Sequence, residues 1–156
     1  MNLSLREVNA KDIDLLYQWA NDKTVRQNAF HTEQIPYADH RMWFTRNLAD
    51  RDVLMYILCQ VSEMGQEEPL GQIRLSIEGN QALISYTIEE SRRGQGLGTR
   101  MVLMAEEKLR DNRVDIIYFL AQVKYENAAS ARVFEKCGYD RKELENYIEF
   151  TKRIRS

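Results

Sequence analysis

The run Ile88-Glu-Glu-Ser-Arg-Arg-Gly-Gln-Gly-Leu-Gly-Thr-Arg100 constrains this chain more than any other stretch. It joins an alternating apolar segment, residues 82–88, to a helical pattern over residues 97–110. Gly94, Gly96 and Gly98 stand at alternate positions, where they turn the chain tightly and let backbone N–H groups approach a ligand with no Cβ in the way. A helix starting at Leu97 aims its unpaired N–H groups and positive dipole end at the same spot. Such a loop suits a phosphate or pyrophosphate.

Two familiar phosphate loops do not fit. A Walker loop needs Lys and then Ser or Thr after its last glycine, and Gly98 is followed by Thr99 and Arg100. A dinucleotide fingerprint wants a third small residue where Thr99 stands, and an acid about twenty residues on to hold ribose. The pattern Arg93-x-x-Gly96-x-Gly98 instead resembles the acetyl-CoA loop of the GNAT superfamily of acyl-CoA N-acyltransferases. A second stretch, Asn127-Ala-Ala-Ser-Ala-Arg-Val-Phe-Glu-Lys-Cys-Gly-Tyr139, is similar to that superfamily's second cofactor helix. Asn127 can cap a helix there, and Gly138 can end it in a left-handed turn.

At 156 residues the chain is expected to form one domain, residues 1–156. The 44% hydrophobic and 29% charged composition is that of an ordinary soluble protein, and a net charge of −2 gives no bulk attraction to nucleic acid or an acidic membrane. Cys59 and Cys137 lie in apolar contexts and read as buried thiols of a reducing compartment. With no leader-like start and no apolar run long enough to span a bilayer, the expected location is cytoplasmic. Basic residues gather at Arg92-Arg93 and over 152–155, the latter reading as a solvated end.

Periodicity predicts a short strand over residues 3–8 and a helix from the cap at Asn9 to Ala20, with Ile13, Leu16, Tyr17 and Ala20 on one stripe. A loop follows through His31, and Pro36 opens a second helix to Leu48. Residues 53–61 form a near-continuous apolar run, as expected of a strand covered on both faces. Residues 70–77 and 82–88 form a hairpin about Glu78-Gly79-Asn80. A strand at 115–123 and a single closing strand through Leu144, Ile148, Phe150 and Ile154 complete the order β-α-α-β-β-β-α-β-α-β. This α/β order agrees with the GNAT fold: a mixed, mostly antiparallel sheet of six to seven strands, about four helices, and splayed central strands.

The resemblance implies an acetyl-CoA-dependent N-acetyltransferase acting by direct attack of a primary amine. It places the pantetheine arm between residues 85–88 and 120–123, with the backbone near Ile88 bonding the thioester oxygen. The N–H groups of Gln95, Gly96, Leu97, Gly98 and Thr99 would hold the pyrophosphate, Arg93 and Gly94 belong to the same cofactor site, and Asn127 would contact the pantetheine or the reacting centre. Glu89 or Glu90 is the expected base, with His31 and His40 as alternatives. Many members carry a Tyr where this chain has Phe134, so the proton donor to the leaving thiolate is left open among Tyr139, Tyr125 and water.

The acceptor region offers Trp19, Arg26, His31, His40 and Trp43 as candidate substrate-binding residues. The His40-x-x-Trp43-Phe44 pattern is similar to the sugar-nucleotide branch of the superfamily, as in pseudaminic-acid-type pathways. A ribosomal-protein N-terminal acetyltransferase is the alternative, and a non-catalytic acetyl-CoA-binding module is another. The expected partner is a small-molecule amine, with no nucleic acid, membrane or metal, in a monomer or homodimer.

Overall fold

The computed structural model describes residues 2–155. A seven-stranded mixed sheet runs in the order β1-β2-β3-β4-β5-β7-β6. The strands are β1 (Leu3–Glu7), β2 (Val53–Val61), β3 (Glu67–Glu78), β4 (Gln81–Ile88), β5 (Tyr118–Val123), β6 (Asp140–Glu143) and β7 (Ile148–Arg153). The α-helices are α1 (Ile13–Ala20), α2 (Lys23–Asn28), α3 (Tyr37–Ala49), α4 (Leu97–Asn112) and α5 (Ala128–Lys136).

Two cores flank the sheet. Met55, Ile57 and Cys59 of β2 pack with Leu16, Trp19 and Phe44 beneath α1 and α3. Tyr56 and Leu58 point the other way, into a larger core with Leu97, Met101 and Ala105 of α4 and Phe134 of α5. Burial on both faces is why the β2 sequence lacks alternation. In β3 the alternation holds: Ile73 and Leu75 are fully buried, while Gln72, Arg74 and Ser76 on the opposite face are partly exposed.

Every strand pair is antiparallel except β4 with β5. That parallel pairing covers residues 81–83 against 118–120 and then stops, so the two strands diverge through Ile88 and Val123. Asn80 O holds the joined end by accepting from the amides of Ile117 (2.8 Å) and Tyr118 (3.2 Å). The central strands are splayed, as expected.

Three expectations need correction. The closing strand is a hairpin: Leu144 N donates to Tyr147 O at 2.9 Å between β6 and β7. The exposed, charged β6 makes an edge that resists further pairing. Residues 23–28, expected as loop, form α2, capped by Asp22 accepting from Val25 N at 3.1 Å. Six residues without an apolar stripe give no periodic signal. Lys152, expected as a solvated cation, reaches inward to Glu106 Oε1 at 2.7 Å, and Tyr139 donates to Glu106 Oε2 at 2.7 Å. Cys59 and Cys137 are buried and unbridged. No helix among the described residues is long and apolar enough to cross a membrane.

Candidate active site

The divergence of β4 from β5 leaves backbone groups without strand partners. Glu89 N donates to Leu70 O of β3 at 2.8 Å. Backbone groups alternate sides along a strand, so the amides of Ile88 and Tyr86 face away from β3, into the gap. The Ile88 carbonyl on that side accepts from Arg93 Nε at 3.1 Å, while its N–H is left facing the gap. A cleft of about 610 Å³ runs through the sheet at this point.

On the α4/α5 side the cleft is floored by the glycine loop. Gly94 (φ +80°) and Gly96 (φ +76°) occupy the left-handed region, and Gly96 immediately precedes the first turn of α4. Gly98 serves a different purpose. A Cβ there would sit 3.2 Å from Val133 Cγ2 and 3.3 Å from Tyr86 Cε2, so its absence lets α4 close against α5 and β4.

Helix α2 bridges the open end of the gap. On the β4 side, Arg93 Nη2 donates to Asp22 Oδ2 at 3.0 Å, tying the glycine loop to the α2 cap. On the β5 side, Lys124 Nζ donates to the carbonyls of Gln27 (3.1 Å) and Ala29 (3.0 Å), at the helix's other end. Burial raises the Asp22 pKa, but the amide of Val25 and the hydrogen bond and charge of Arg93 outweigh it, leaving the group below its ordinary value.

Of the residues singled out in the sequence, Ile88, Arg93, Gly94, Gly96, Leu97, Gly98, Thr99, Asn127 and Arg26 line this cleft. Gln95 lies exposed in the loop beside it. Asn127 caps α5, accepting from Ser130 N at 3.2 Å. Glu89 and Glu90 are not among the lining residues. The Glu89 carboxylate is turned to the amide and hydroxyl of Ser91, and Glu90 is exposed.

The five acceptor candidates are placed differently from one another. Trp19 is 6% exposed inside the core under α1 and is closed to a ligand. His40 is buried at 3%, shares a hydrogen bond with Ile13 O at 2.9 Å and stacks on Trp43, which makes it a packing histidine. The Arg26 guanidinium is taken up by the carbonyls of Ala20 (2.8 Å), His31 (2.9 Å) and Glu33 (3.3 Å). The His31 ring is exposed outside the cleft lining. Trp43 is partly buried and carries the Arg74 guanidinium over its ring, 5.1 Å from the centroid.

The cleft brings in residues that sequence reasoning passed over. Tyr86 places its hydroxyl 3.0 Å from Ser130 Oγ, and burial raises its pKa. Tyr139 and Tyr125, the phenols nearest Phe134 in the sequence, are directed to Glu106 and to the Leu144 carbonyl. Arg74, Arg92, Arg132 and Lys136 join Arg26 and Arg93 in the lining, and among the described residues no Asp, Glu or His does. Alternation in β3 put Arg74 on the α3 face, but only the position of the gap makes that face a wall of the cleft.

The splayed parallel pair and the glycine loop under α4 are the arrangement expected of the acyl-CoA N-acyltransferase fold. A family model described as acetyltransferase (GNAT) domain matches residues 2–140, and the chain belongs to this family of N-acetyltransferases. No curated protein matches the sequence. Solved structures do share its fold. Spermidine N-acetyltransferase from Vibrio cholerae, in complex with CoA and spermine, is similar at a TM-score of 0.83 and 14% identity, over 97% of this chain and 95% of that one. A ribosomal alpha-N-protein acetyltransferase in complex with coenzyme A gives 0.82 and 19%, over 99% and 95%. An aminoglycoside acetyltransferase with coenzyme A and kanamycin gives 0.78 and 21%, over 97% and 95%.

Proposed function

We propose that this N-acetyltransferase moves acetyl from acetyl-CoA to the amino group of a sugar carried on a nucleotide. The carrying observation is the cleft itself: it crosses the sheet at the β4/β5 gap, and its lining holds five arginines and a lysine but no acid among the described residues. Acetyl-CoA supplies an activated thioester and a pyrophosphate. The left-handed turns at Gly94 and Gly96, with no atom within 4 Å of a Cβ placed at either, and the free amides at the start of α4 suit the pyrophosphate. Arg132 and Lys136 of α5 add positive charge on the same side.

The Ile88 N–H faces the place where the thioester oxygen gains negative charge. A donor of this kind contributes ~2.7–4 kcal/mol in measured cases. Tyr86, held protonated by burial and bonded to Ser130, delivers a proton to the departing sulfur in place of a phenol at 134. The attacking amine must arrive uncharged, and the cleft lining contains no carboxylate or imidazole to deprotonate it. Glu89 and Glu90, at the end of β4, would act through water.

That shortage favours an amine of low basicity. An amine beside electron-withdrawing ring oxygens loses its proton more readily than an alkylamine of the lysine type, whose pKa is about 10.4. A peptide amino terminus, at about 7.7–8.0, meets the same condition and is the second reading. Strongly cationic acceptors would meet a lining of their own sign. Thiol release from acetyl-CoA, measured with amino-sugar nucleotides, peptides, polyamines and aminoglycosides, tests the proposal. Turnover confined to peptides or polyamines would remove the nucleotide-sugar reading.

A further inference from the structure

Arg74 stands apart from every other arginine of the chain. Among the described residues, each of the others is either exposed or donates to an oxygen, as Arg6 does to Asp12, Arg92 to Glu68, Arg93 to Asp22, Arg113 to Asp115 and Arg155 to Ile116 O. The Arg74 side chain is partly buried and has no hydrogen-bond or ion-pair partner among the described residues. Its pKa is lowered by burial alone, so no nearby carboxylate offsets the desolvation of its charge.

The guanidinium is nonetheless held in place. It lies over the Trp43 ring at 5.1 Å, which supports the cation and fixes its plane. No side-chain nitrogen among the described residues is both fully enclosed and unpartnered, so the donors of Arg74 reach open space, and that space is the cleft. The position along the sheet is informative. Arg74 is the cross-strand partner of Ser85, two residues beyond Leu83, where β4 loses its pairing with β5. Both side chains stand on the α3 face, opposite the core under α4 and α5.

A guanidinium with five donors, no internal anion and an exposed hydroxyl beside it is complementary to a planar or tetrahedral oxyanion. We propose that Arg74, supported by Trp43 and assisted by Ser85, binds a phosphate or carboxylate of the acceptor and so selects amines that carry an anionic group. The glycine loop lies on the other face, so this subsite is separate from the donor's pyrophosphate site. The inference rests on the N-acetyltransferase reading and deepens it, because it rejects free polyamines and aminoglycosides while admitting a nucleotide-linked sugar.

Steady-state kinetics with matched acceptors tests it. An amino-sugar nucleotide is compared with the same amino sugar lacking the nucleotide, and a dipeptide ending in glutamate amide with the same dipeptide ending in glutamine amide, whose amino groups are equally basic. In the wild-type protein the anionic member of each turned-over pair should have a kcat/KM at least tenfold higher. Arg74→Gln should raise KM for the anionic member at least tenfold and leave KM for acetyl-CoA and kcat/KM for the neutral member within twofold. Arg74→Lys should recover part of the loss. Equal losses on charged and neutral acceptors, or a wild-type preference for the neutral members, would overturn the inference, and the second comparison requires no variant to fold. Turnover of the nucleotide sugar unaffected by Arg74→Gln would also remove it while the proposed function stands. An Arg74-dependent preference for the carboxylate pair, with no turnover of the nucleotide sugar, would do the reverse.

Discussion

Arg93 and Asp22 join across 71 residues of sequence, Nη2 to Oδ2 at 3.0 Å, and thereby latch the glycine loop to the cap of α2. Asp22 also accepts from Val25 N, so one carboxylate both starts the helix and anchors it. Arg93 Nε meanwhile holds the Ile88 carbonyl, so the same guanidinium orients the strand end that carries the Ile88 amide. The glycine loop, the end of β4 and the α2 cap are therefore mechanically coupled. Asp22→Asn should raise KM for both substrates several-fold, whereas a change confined to one substrate would show that the latch does not couple them.

The same residue gives a pH signature. The folded pKa of Asp22 lies below its ordinary value. Its contribution to stability is therefore present above the unfolded pKa of about 3.9 and is lost as the pH falls through the folded value. The Tm difference between wild type and Asp22→Asn should be constant from pH 7 to about pH 5 and shrink below about pH 4. A gap that widens with acid would reverse the assignment.

Gly96→Asp tests the donor site. The position is exposed with φ +76°, and a Cβ there meets no atom within 4 Å, so the change costs backbone strain of about 1 kcal/mol but creates no clash. It does place a negative charge at the start of α4. Calorimetric affinity for acetyl-CoA should fall more than tenfold with the Tm within a few degrees of wild type, and unchanged affinity in the folded variant would dismiss the glycine loop as the pyrophosphate site.

Local signals made the fold legible. Val53–Val61 was readable as a doubly covered strand because both cores use it, and Leu97–Asn112 because its apolar stripe meets one of them. The glycine loop was readable because left-handed turns and close approach demand that residue type. Trp19 and His40 misled, because an aromatic or imidazole beside a polar run looks the same whether it faces a cleft or a core. Their burial depends on how α1 and α3 lie on β2, which no short pattern encodes. Arg74 and Tyr86 were missed for the complementary reason: their significance comes from where β4 parts from β5.

Glu106 and Lys152 form an ion pair at 2.7 Å between α4 and β7, and Tyr139 and the Cys137 carbonyl complete the network. Glu106 is 2% exposed. Removing one partner strands the other charge, so Glu106→Gln should cost ~3 kcal/mol, the low end of the range for buried pairs because Lys152 keeps some solvent contact. Glu106→Leu combined with Lys152→Met should cost less than either single change, since no charge is left behind. Denaturant unfolding of Glu106→Gln and of the cycle formed by wild type, Glu106→Leu, Lys152→Met and the double variant measures this, and simple additivity of the single losses would rule out a coupled pair.

Tyr86 is the proton donor proposed for the departing thiolate. Its hydroxyl meets Ser130 Oγ at 3.0 Å, its ring packs edge-on to Phe134 at 6.0 Å, and its raised pKa keeps the phenol protonated across the neutral range. A phenol in that state is a donor, and positioned proton transfer of this kind contributes ~10²–10⁴-fold in rate. Because the thiol of coenzyme A is itself a fair leaving group, the loss in Tyr86→Phe should fall at or below the low end of that range, roughly 10–100-fold in kcat, with KM for acetyl-CoA within twofold. Phe134→Tyr offers a second phenol one helical turn from Ser130, and in the Tyr86→Phe background it should recover part of the rate. An unchanged kcat in Tyr86→Phe would mean that the thiolate departs without help from the protein, leaving Tyr86 as packing against Gly98 and Phe134.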